Sequence, residues 1–134
     1  NKDAFGYDKH GIPNRPAAAE LRRANIDIRW YHTHGEQCHI KMLVAEDGQE
    51  NARLLLGSAN LTRRNLGDFN LETNVLVEGE RSSAAIRDAR AYFDTLWDNR
   101  EDRRYTEPYE RYRDESLLKK GLYRFMEASG FSEF

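Results

Sequence analysis

Two short apolar runs joined by a turn-rich hexapeptide restrict the fold of this chain more than any other feature. "HIKMLVA" (residues 39–45) and "RLLLG" (residues 53–57) flank "EDGQEN". Asp-Gly between two β-type runs is a hairpin signal, and the length of the segment predicts a loose tip. The flanking segments extend the pattern. "IDIRWY" (residues 26–31) alternates apolar and polar residues and reads as a strand, as does "NLETNVLVEG" (residues 70–79). Pro16 suits the first turn of a helix through "AAAELRRA". Ser82 and Ser83 can cap a second helix, whose Ile86, Ala89, Phe93, Leu96 and Trp97 recur at helical spacing. A third is expected from about Glu115 to Ala128, with Leu118, Leu122, Phe125 and Met126 on one side and Gly130 past its end. Helix, strand, hairpin, strand, helix, helix is an α/β order: a mixed β-sheet flanked by helices on both faces.

The chain has 134 residues, enough for a single domain with a real core. About a third of them are charged and the net charge is −2, which excludes a strongly basic nucleic-acid binder while allowing a local basic patch. Cys38 is the only cysteine, so no internal disulfide forms. No apolar run approaches a membrane span and no signal peptide opens the chain. Residues 1–15 read as a loop, and Asn1 follows no methionine. The expectation is therefore one domain over 1–134, the C-terminal fragment of a longer chain, with a charged connector and final helix over 105–134. Compartment stays open, with a membrane-associated or exported full-length protein compatible.

The chemistry concentrates around the hairpin. On one strand, His39 and Lys41 share a face by period-two geometry, and at the end of the partner run Ser58 and Asn60 do likewise. An imidazole, an ammonium, a hydroxyl and an amide are thereby expected near one another. The first is a nucleophile or acid; the others are donors suited to phosphate oxygens.

"H-I-K" followed by "G-S-A-N" resembles the signature of the phospholipase D superfamily, H-x-K-x4-D-x6-G-S-x-N, over at least His39 to Glu78. Two departures lie between the halves. Glu46 stands where the pattern has aspartate, with Asp47 beside it, and Gly57 arrives four residues late. A longer hairpin tip absorbs both at little cost, since loop closure depends weakly on length.

The resemblance implies a phospholipase D-like half and a mechanism. One histidine attacks phosphorus to form a phosphohistidine. A second, from another copy of the motif, protonates the leaving alcohol, and water or another alcohol resolves the intermediate. His39 and Lys41 take catalytic positions, while Lys41, Ser58 and Asn60 bind the phosphate. Glu72 in "NLETN" matches the acidic residue that fixes the histidine tautomer. No metal or other cofactor is implied. One motif copy makes the chain a half-site that pairs with an upstream half or with a second copy of itself. Expected substrates are phospholipids or other phosphodiesters, with peripheral membrane contact compatible. The alternatives are a homodimeric endonuclease of the same superfamily and a non-catalytic phosphate-binding half.

Other polar clusters carry blander readings. His32, His34, Glu36, Cys38 and His39 invite a zinc site, but one thiol and irregular spacing argue against it, and loop residues near the mouth of the phosphate site are expected. Arg63 and Arg64 are either phosphate grips or solvated helix-start arginines. Tyr105, Tyr109 and Tyr112 are expected to pack on the sheet rather than form a stacking surface, and Trp30 and Trp97 to lie in the core.

Overall fold

The computed structural model describes residues 11–34, 36–62, 65, 67 and 71–129. Along them run α1 (Asn14–Arg23), β1 (Arg29–Tyr31), β2 (Met42–Glu46), β3 (Asn51–Gly57) and β4 (Asn74–Glu80). They are followed by α2 (Ala84–Asp98), β5 (Thr106–Pro108), a 3-10 turn (Tyr109–Tyr112) and α3 (Leu117–Ser129). The chain is α/β. Its described strands form two antiparallel sheets, β1–β5 and β2–β3–β4. The chain also divides into two compact units, Asn1–Cys38 with Trp97–Glu133, and His39–Leu96.

In the first unit, Asn14 and Arg15, expected in a loop, already belong to α1. That helix ends in a Schellman closure. Asn25 takes the left-handed conformation (φ 59°), the Ile26 N–H reaches the Leu21 carbonyl at 3.1 Å, and the Asn25 N–H reaches Arg22 at 3.1 Å. This explains why the strand expected from Ile26 begins at Arg29: the intervening residues complete the helix end.

β1 pairs with β5, Trp30 standing opposite Glu107. Ala18, Trp30 and Tyr109 form the core, with Ile28 and Tyr112 against it. The Trp30 indole donates to the Tyr109 carbonyl at 2.9 Å, stacks near the Tyr109 ring and meets Tyr112 edge-on. Trp30, Tyr109 and Tyr112 thus pack as expected, whereas Trp97 is only half-buried, with the Arg29 guanidinium over its ring. Asn99, also left-handed, accepts from the Tyr105 and Thr106 N–H groups at 2.7 and 2.8 Å, fastening the start of β5.

The apolar stripe of α3 is not buried. Leu118 is 87% exposed and Leu122 and Phe125 are also exposed, while Met126 is half-buried. The half-buried side carries Lys119, paired with Asp114 at 2.5 Å, and Tyr123; Arg124 reaches Glu20 of α1 at 2.9 Å. Gly130 lies outside the described residues.

The second unit is a meander with one helix. Met42 pairs with Leu56 and Leu54 with Val77, which aligns Met42, Val44, Ala52, Leu54 and Val77 on one face. α2 covers that face through Ile86 and Ala89; Ala52, Leu54 and Ile86 are buried. Each fully buried aliphatic side chain contributes about 1.5–3 kcal/mol. Phe93, further along the stripe, is exposed. Ser83 stands at the helix start and its carbonyl accepts the Arg87 N–H at 2.9 Å, but its buried hydroxyl makes no cap bond. Ser82 instead bonds Glu80 at 3.1 Å.

Candidate active site

The antiparallel register brings the start of β2, the end of β3 and the start of β4 to one end of the sheet. His39 and Lys41 immediately precede β2, Ser58 and Asn60 follow β3, and Glu72 precedes β4. All five sequence-predicted site residues therefore sit at that end, just beyond the regular ladder.

Their position corrects the same-face argument. His39 and Lys41 are not in β2, which opens at Met42. Continuing the Met42–Leu56 register backwards would set Lys41 opposite Gly57 and His39 opposite Ala59. Ser58 and Asn60 would then lie on the other face. Convergence consequently depends on the irregular segments that leave the strands. His39 is exposed, and no described residue hydrogen-bonds its ring. Lys41 is half-buried, its Nζ donating to the His39 carbonyl at 3.1 Å.

Gly57 is required by a close approach. A Cβ there would overlap the Asn74 side-chain oxygen and lie 2.5 Å from the Thr73 carbonyl oxygen. With no side chain in the way, the Ser58 N–H donates to that carbonyl at 3.1 Å, and the Ala59 N–H to Asn74 Oδ1 at 3.4 Å. The Ser58 hydroxyl donates to Glu72 Oε2 at 2.5 Å and accepts from the Thr73 N–H at 3.1 Å. The other Glu72 oxygen accepts from the Asn65 amide, whose own oxygen accepts from the Thr62 hydroxyl at 2.7 Å. Glu72 thus holds Ser58 and Asn65 rather than the imidazole to which the resemblance assigns it. Asn60 accepts the Thr62 N–H at its backbone carbonyl, at 2.8 Å. Asn65, Thr62 and Asn74 were not singled out from sequence; the available signal was the run of short amide and hydroxyl side chains following Gly-Ser-x-Asn. Arg63 and Arg64 lie outside the described residues.

Neither acidic residue of the hairpin tip belongs to this end. β2 carries Glu46 about 13 Å from Met42 at the rise of a strand. There its carboxylate bridges Arg90 at 2.7 Å and Arg81 at 3.1 Å. Asp47 accepts the Gln49 N–H at 2.8 Å and the Asn51 amide at 3.2 Å, closing the turn at Gly48, whose φ is 79°. The Gln49 N–H, aided by Asn51, holds the Asp47 carboxyl below its usual range. Glu46 ties the hairpin to α2, and Asp47 closes its turn.

In the first unit, His32 Nδ1 meets the buried Glu107 carboxylate at 2.9 Å, and His34 lies edge-on to the His32 ring. Glu36 accepts the His34 N–H at 2.8 Å; backbone N–H groups, its own first and then that of His34, hold its carboxyl below its usual range. Among the described residues, no three His, Cys, Asp or Glu side chains gather into a metal-binding group.

An α/β unit with a histidine, a lysine and Gly-Ser-x-Asn gathered at one sheet end defines a class of phosphodiesterase-type domains. The family model described as "Cardiolipin synthase, PLD-like domain" matches residues 6–97, and the chain belongs to that family within the phospholipase D superfamily. No curated protein and no solved structure matches the chain.

Proposed function

We propose that this chain is one catalytic half of a phospholipase D-like phosphodiesterase that cleaves phospholipids through a phosphohistidine intermediate. The observation that carries the reading is the gathering of His39, Lys41, Ser58, Asn60 and Glu72 at one end of a single three-stranded sheet. A ring nitrogen of His39 attacks phosphorus, and the P–O bond to the leaving alcohol breaks. A second histidine, supplied by another half in the same protein or by a second copy, gives that alcohol its proton. Water, or an acceptor alcohol, then gives its proton to that second histidine and attacks phosphorus, and the P–N bond to His39 breaks. Lys41 and Asn60 neutralise charge on the non-bridging oxygens, so positioning and electrostatics supply the catalysis without a metal.

Ser58 and Glu72 act together in this scheme. A hydroxyl has one proton, so Ser58 cannot donate to Glu72 and to a phosphate oxygen at once. When a phosphate oxygen takes that proton, Glu72 Oε2 is released to accept from the far ring nitrogen of His39 and hold its tautomer.

The setting of the site supports an amphiphilic substrate. Ile40, Leu56, Leu61, Leu71 and Val75 are exposed apolar neighbours in sequence of the five polar residues. Such a fringe suits a headgroup phosphate carrying acyl chains. Among the described residues no helix is long and apolar enough to cross a membrane. The second reading is a homodimeric endonuclease, in which the same apolar residues lie under the partner copy. The full-length protein is to be assayed on phosphatidylcholine, phosphatidylglycerol and single-stranded DNA, with His39→Asn as control. Lipid cleavage abolished in the variant, with the fold intact, is the expected outcome. DNA cleavage alone selects the nuclease, and activity within about tenfold in His39→Asn removes it from the mechanism.

A further inference from the structure

We infer that Asn65 is a positioning residue for Glu72, held in turn by Thr62; the inference rests on the phosphodiesterase reading above. The argument starts from proton counting. An ionised carboxylate only accepts, and Glu72 accepts one donor on each oxygen: the Ser58 hydroxyl on Oε2 and the Asn65 amide on Oε1. The Ser58 contact is the one that substrate displaces. Of the two resting contacts, the one to Asn65 is then the one that remains, and it fixes where Glu72 stands as Oε2 turns to His39.

An asparagine side chain has two ends, and without a partner for its oxygen the amide would rotate freely. Thr62 supplies that partner. Its hydroxyl donates to Asn65 Oδ1 at 2.7 Å and accepts the Asn65 N–H at 3.4 Å, closing a small ring that fixes which end of the amide faces Glu72. The Thr62 N–H also bonds the Asn60 carbonyl at 2.8 Å, so this ring ties Asn60 to Glu72. The Thr62 and Asn65 side chains thereby set the carboxylate that steadies the nucleophile, while the Thr62 backbone joins the same turn to Asn60.

Two isosteric changes and one rescue test this in the native protein. Asn65→Asp keeps the shape but replaces the donor by an acceptor facing Glu72. Thr62→Val removes the hydroxyl at constant volume, and Thr62→Ser restores it. A loss of orientation lowers kcat by about ten- to a hundredfold in Asn65→Asp, with KM changed little, because the displaced group acts on the nucleophile. Thr62→Val is expected to fall between that variant and the natural protein, and Thr62→Ser to match the natural protein. A purely structural role would instead lower stability while leaving kcat of the folded fraction unchanged.

A second readout needs no activity. Side-chain amide exchange by NMR should find one Asn65 proton protected, with protection lost in Glu72→Ala. An unprotected Asn65 amide, or kcat within threefold of natural in Asn65→Asp, overturns the inference. A natural protein inactive on every phosphodiester defeats the proposed function instead, and the exchange measurement then decides by itself whether Asn65 holds Glu72.

Discussion

Replacing Gly57 by alanine tests whether the close approach of β3 and β4 holds the site in shape. The new methyl would overlap Asn74 Oδ1, lie 2.5 Å from the Thr73 carbonyl oxygen and 2.8 Å from Asn74 Cα. The Asn74 side chain can rotate away; the two backbone atoms cannot. Since Cβ atoms essentially never approach closer than 3.0 Å, the strands must part by at least the 0.5 Å between 2.5 and 3.0 Å. Overpacking of this kind costs about 1–3 kcal/mol. Parting also weakens the paired bonds between Ser58 and Thr73, each 3.1 Å and each contributing about 0.5–1.5 kcal/mol. A total near 2–4 kcal/mol follows from adding part of the second term to the first. Urea unfolding should show the midpoint lowered by about 1–2 M at a slope of roughly 2 kcal/mol per M. Amide exchange in β3 and β4 is the better probe than fluorescence, because Trp30 and Trp97 both belong to the other unit. Adding Asn74→Ala to Gly57→Ala should recover less than half of the loss. A Gly57→Ala protein within about 0.5 kcal/mol of natural refutes the backbone argument, and full recovery by Asn74→Ala would assign the requirement to a side chain.

Ile86→Ala, at a fully buried position against Ala52 and Leu54, should cost about 2–5 kcal/mol by denaturant unfolding; a loss below 1 would mean that α2 does not close this core. Burial pushes the Glu107 carboxyl up, but the hydrogen bond and charge of Arg104, with His32 and Arg111, outweigh it and hold the group below the usual 4.5. Its stabilising contribution is complete above that usual value and is lost as pH falls through the lower folded value. Glu107→Gln should therefore flatten the acid limb of the stability curve, and a parallel curve would contradict this. Turnover by the full-length protein should survive chelator, whereas loss restored by zinc or calcium would bring back the metal reading of the His32–His39 segment.

Local patterns made much of this protein legible. The hairpin followed from two apolar runs around Asp-Gly, and its strands lie at Met42–Glu46 and Asn51–Gly57. Helical spacing located α2 and α3, and the order of elements gave the α/β class. The motif also placed His39, Lys41, Ser58, Asn60 and Glu72 at one sheet end, because antiparallel connectivity decides which strand ends meet regardless of side-chain detail. Periodicity, however, tells only that a helix has an apolar stripe and not what it faces. Leu118, Leu122 and Phe125 of α3 are exposed although their spacing marks one stripe. Partners far apart in the chain were equally hidden: Trp30 opposite Glu107, and the bond between Arg29 and Thr106, join segments 77 residues apart. The Glu72 carboxylate is the sharpest case. Its sequence position allows it an imidazole, a hydroxyl or an amide, and the tertiary structure gives it Ser58 and Asn65. A hydrogen bond forms or fails within a few tenths of an ångström, and that placement depends on strand ends, turns and packing that no single segment encodes.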